Sequence, residues 1–70
     1  MNIYGYKDAD SDLISLEEIT LQLSLQELRD LMNFFENTLN KMEKYKEDFG
    51  HEHFKDFSGN CYGPDIIISA

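Results

Sequence analysis

The spacing of hydrophobic positions changes period along this chain. Ile3, Tyr4 and Tyr6 make Asn2–Tyr6 a β-prone stretch, and it predicts a first strand. Lys7–Asp12 is polar and reads as a turn or loop. From Leu13 the chain reads as extended. Ile19, Leu21 and Leu23 alternate with Thr20 and Gln22, the period of a half-buried strand. Ile14 and Leu16 stand in the opposite phase. Either a bulge near Glu17-Glu18 joins the two halves, or only the second half lies in the sheet.

At Ser24 the period becomes helical. Ser24-Leu25-Gln26-Glu27 matches a capping box, in which Ser24 and Glu27 each satisfy a free backbone N–H. Leu23 and Leu28 stand where a hydrophobic staple would sit. Leu28, Met32, Phe35, Leu39 and Met42 draw one apolar stripe, widened by Leu25, Leu31 and Phe34. No proline or glycine interrupts before Gly50, so the pattern predicts a helix of roughly six turns with Gly50 as its stop.

A connector follows to Gly63. Phe49, Phe54, Phe57 and Tyr62 among its polar residues predict an ordered segment with a short helical turn or strand. Gly63-Pro64 marks a turn and Asp65–Ser69 a last strand. Ile66-Ile67-Ile68 calls for burial on both faces or for cover from another element, a partner chain being one option. The expected fold class is α+β in the order β-β-α-β: a small three-stranded, mainly antiparallel sheet with one long amphipathic helix packed on one face. In that fold Leu28, Met32, Phe35 and Leu39 would face Ile19, Leu21, Ile66 and Ile68.

Length tightens the picture. Residues 1–70 read as a single domain, near the lower limit for a self-sufficient core. Cys61 is the only cysteine, so an internal disulfide is impossible, which fits a reducing compartment. No apolar run approaches the roughly 20 residues of a membrane span. Met1-Asn2-Ile3-Tyr4 lacks the basic start of a signal peptide. The expectation is a soluble, cytoplasmic protein with no membrane partner.

Fourteen acidic residues against six basic ones give a net charge of −8. Direct contact with a nucleic-acid backbone needs a basic face, and this composition argues against it. Asp8, Asp10, Asp12, Glu17 and Glu18 fall close together in sequence, opposed only by Lys7. They are either a solvated surface or a face that steers a basic partner.

Ile3-Tyr4-Gly5-Tyr6, the strand–helix passage Leu16–Phe35, His51-Glu52-His53-Phe54 and Pro64-Asp65-Ile66-Ile67 together give the chain a resemblance. It resembles a family of small immunity proteins from bacterial polymorphic toxin systems. The resemblance implies a small α+β domain that binds a cognate toxin and neutralises it. It implies no enzymatic activity and leaves the toxin's chemistry open.

The residues offer little chemistry of their own. His51 and His53 would share one side of a strand, as two metal ligands can, with Cys61 or Asp56 as a third. The spacing matches no common zinc motif, and His51-Glu52-His53 is not the His-Glu-x-x-His of metalloproteases. A Cys61–histidine nucleophile lacks an orienting third group. The expectation is no catalytic residue, no metal and no cofactor.

Three functions of different classes remain. One is a non-enzymatic immunity protein that binds and neutralises a cognate protein toxin, a nuclease being one option. Another is an acidic decoy that occupies the nucleic-acid site of a DNA- or RNA-binding protein. The last is an accessory structural homodimer. For toxin binding the candidate contacts are Asp8, Asp10, Asp12, Glu17 and Glu18, with Phe49, Phe54 or Tyr62 as apolar anchors at the centre of an interface.

Overall fold

A computed structural model describes all residues, Met1–Ala70. The chain runs through β1 (Ile3–Gly5), β2 (Ile14–Leu16), α1 (Leu25–Tyr45), β3 (His51–His53), α2 (Phe54–Ser58) and β4 (Ile67–Ser69), with a 3-10 turn at Lys46–Asp48. It is an α+β fold. The strands form two separate antiparallel pairs, β1–β2 and β3–β4. This corrects the expected three-stranded sheet. The connector contributes its own strand, β3, and β4 pairs with it. Closing that short loop costs less entropy than carrying β4 back past α1 to the first hairpin.

The first hairpin pairs Ile3 with Leu16, Tyr4 with Ser15 and Gly5 with Ile14. A Cβ at position 5 would lie 3.0 Å from the Leu16 side chain, so glycine makes room for that leucine. The paired strand is Ile14–Leu16, the first half of the extended stretch. Ile19–Leu23, whose alternation predicted the strand, joins no ladder. Alternation shows that a segment is suited to a sheet, but β1 is only three residues long and offers that segment no edge.

α1 begins as its sequence dictates. The Glu27 N–H donates to Ser24 Oγ at 3.1 Å, and the Ser24 N–H donates to Glu27 Oε1 at 3.0 Å. The Ser24 N–H, and after it the Ser24 hydroxyl, favour the ionised carboxylate and hold Glu27 below its usual range. The helix ends at Tyr45, before Gly50. Lys46 takes a positive φ of 48°, and its N–H bonds to the Met42 carbonyl. A lysine in that region of backbone space is uncommon, and no residue type announces the stop.

The core lies between α1 and the C-terminal elements. Leu31, Phe34, Thr38 and Phe49 are buried. Phe34 packs against Phe54 and Phe57 of α2, with ring centroids 5.3 and 5.7 Å away. Lys41 reaches Glu52 of β3 at 3.2 Å and ties the helix to the second hairpin. The expected core stripe is therefore corrected. Leu28, Met32, Phe35 and Leu39 remain between 44% and 61% exposed. The buried face is centred about 100° further round the helix, one residue step. Ile19 and Leu21, assigned to the same core, are also exposed.

Candidate functional site

β3 places His51 and His53 on one face by alternation, and their rings meet edge to face at 5.1 Å. The His53 Nδ1 lies 2.6 Å from Asp65 Oδ2. An ionised carboxylate only accepts, so Nδ1 carries the proton and donates. Asp65 Oδ1 accepts from the N–H of Lys55 at 3.0 Å and of Ile66 at 2.9 Å. The Phe54 N–H donates to the Ile66 carbonyl at 2.8 Å. Asp65 thus caps the start of α2 from ten residues away in sequence. The phrases His51–Phe54 and Pro64–Ile67 meet at this node.

Electrostatics follow the geometry. The hydrogen bond to Asp65 raises His53 above its ordinary value. Burial opposes that shift, while the charges of Asp65, Asp56 and Glu52 reinforce it. For Asp65 burial is the largest single influence and pushes its carboxyl up. The hydrogen bonds from His53, Lys55 and Ile66 together outweigh it, and the group lies below its ordinary value. Nowhere do three or more His, Cys, Asp or Glu side chains gather as a metal site would require. Cys61 is exposed.

The five candidate acids do not form one patch. Asp8, Asp10 and Asp12 lie on the loop between β1 and β2. That loop is organised locally: the Asp10 N–H donates to Asp8 Oδ1 at 3.0 Å, and Ser11 Oγ donates to the Asp8 carbonyl at 2.9 Å. Glu17 and Glu18 follow β2 at its other end, on the order of 15 Å from Asp12 along an extended chain. All five are exposed.

The three candidate anchors divide as well. Phe49 is buried in the core, which removes it from the surface. Phe54 is half-buried against Phe34. Tyr62 is 84% exposed and free to meet a partner.

The largest concave feature is apolar and had no place in the sequence reading. A groove of about 1390 Å³ runs between the first hairpin, the Glu18–Leu21 arm, Phe35 and β4. Small-molecule sites are roughly 300–1,000 Å³, so its size suits a protein segment better. Next to it runs the bare helix face of Leu28, Met32, Phe35 and Leu39. One signal pointed there. The apolar arc of α1, from Phe34 round to Leu25, covers about 180° of the helix. One packed layer covers about half of such an arc.

No protein-family model, curated protein or solved structure matches this chain. No helix is long and apolar enough to cross a membrane.

Proposed function

We propose that the protein is a non-enzymatic immunity protein that binds one cognate bacterial toxin and blocks it. The class comes from the sequence resemblance. The observation that carries the mode of binding is the β1–β2 loop, where Asp8, Asp10 and Asp12 are exposed on a locally hydrogen-bonded turn. In a chain of net charge −8 this loop is a negative projection suited to a basic cleft. A nuclease toxin has such a cleft, because it must hold phosphate. Tyr62 is the exposed aromatic available as an anchor.

The direct test is co-expression with the product of an adjacent toxin gene. Cells should survive with the protein and die without it. Loss of protection would reject the immunity reading. The mode is tested by Asp8→Lys, Asp10→Lys and Asp12→Lys combined. Association with the toxin should slow by roughly tenfold or more and lose much of its salt dependence. Unchanged association at low salt would reject the acidic loop as the contact. Capture of a DNA- or RNA-binding protein in place of a toxin would favour the decoy reading.

A further inference from the structure

The single chain leaves too much surface in water for its mass. Its accessible area is 6307 Å². A compact monomer of 8.2 kDa exposes about 4,500 Å², a surplus here of about 1,800 Å². The radius of gyration agrees: 13.0 Å, against about 11 Å for a compact chain of this length. Apolar side chains contribute to it. Leu28, Met32, Phe35 and Leu39 on α1 and Ile19 and Leu21 on the arm are all exposed.

We infer that these six residues form the core of a two-fold homodimer in which α1 packs antiparallel against α1 of a second copy. Area supports this occupant. A two-fold contact that covered about 1,000 Å² of this surplus on each chain would reach the lower end of the roughly 2,000–5,000 Å² of obligate dimers. Availability supports it too. Leu31, Phe34 and Phe49 are the only buried hydrophobic side chains, a small core for a chain that must fold before it meets any other protein. A second copy is present whenever the chain is made.

Charge placement fits the antiparallel arrangement. Arg29 and Glu36 are exposed on the same edge of the apolar stripe, and neither makes an ion pair within its own chain. In an antiparallel pair related by a two-fold axis, like edges face each other. Pairing centred beside Met32, midway between positions 29 and 36, then brings Arg29 of each copy beside Glu36 of the other. The acidic β1–β2 loop takes no part in this contact. The dimer does not rest on the toxin-binding reading.

The test is sedimentation equilibrium of the full chain without any toxin, in reducing buffer so that exposed Cys61 cannot cross-link copies. The expected mass is twice 8.2 kDa at micromolar concentration, with a thermal midpoint that rises with protein concentration. Phe35→Asp should give single-chain mass. Because that variant can also unfold, the exposed pair supplies a second test. Arg29→Glu or Glu36→Arg alone should weaken dimerisation at least several-fold, and the double variant should restore it. A single-chain mass at every concentration, with a midpoint independent of concentration, would overturn the dimer. A double variant as weak as the sum of the two singles would overturn the antiparallel pairing.

Discussion

His53 at the end of β3 and Asp65 ahead of β4 meet in one contact of 2.6 Å, from Nδ1 to Oδ2. The same carboxylate holds the Lys55 and Ile66 N–H groups. One side chain therefore fixes the register of β4 on β3 and the start of the short helix that covers Phe34.

This pair should make stability depend on pH in a defined window. His53 is raised from 6.5, so its contribution is complete below 6.5 and is lost as pH climbs through the raised value. Asp65 is lowered from 3.8, so its contribution is complete above 3.8 and is lost as pH falls through the lowered value. Both are present between 3.8 and 6.5. The thermal midpoint should plateau there and decline on the alkaline side as His53 loses its proton. Asp65→Asn should remove that alkaline decline, and an NMR titration should show His53 returning towards its ordinary value. An identical His53 titration in both proteins would refute the pairing.

Phe34 should be the most sensitive position in the core. It is fully buried between Leu31, Thr38 and the α2 aromatics. Phe34→Ala should cost about 3–5 kcal/mol, comparable to all the stability a chain this small can hold. Phe57, which is 42% exposed, should lose less on truncation to alanine. Denaturant melts of the two variants decide it, and equal losses would mean that the buried face of α1 is misassigned.

Thr38 offers a change of opposite sign. Its hydroxyl is buried and has no hydrogen-bond partner. Valine keeps the shape and removes the unmet polar group, so Thr38→Val should stabilise by about 1 kcal/mol. A loss of stability of that size would show that the hydroxyl has a partner in solution.

Metal removal should change nothing. His53 spends Nδ1 on Asp65, and no third ligand is at hand. Purified protein treated with a chelator should keep its circular dichroism and its thermal midpoint. Unfolding on treatment would point to a bound ion.

What the sequence made legible follows from how local each signal is. The capping box at Ser24 and Glu27 needs four residues and was read in full. The aromatic connector announced order and yielded both a strand and a short helix. The end of α1 was not legible, because Lys46 makes the turn with a residue that gives no sign of it. Helical periodicity defined an apolar arc, but not which half the chain would cover. Leu28 and Leu31 score alike on any hydrophobic scale, and only the position of α2 separates them. Of the candidate contacts, the loop acids landed on the surface as expected, whereas Phe49 was needed inside. The Asp65 node was unreadable because its partners lie ten and twelve residues away.

The division into two hairpins also shapes how the molecule comes together. Both strand pairs join neighbours in the chain, β1 with β2 and β3 with β4, so no sheet contact waits for the ends to meet. Such low contact order favours fast folding with little need for an intermediate. It also makes the halves separable. The first hairpin carries its own ladder, and the extended arm between Glu17 and Ser24 joins it to the rest. Amide protons of β1 and β2 should exchange through local opening that leaves α1 closed, whereas those around Phe34 wait for global unfolding.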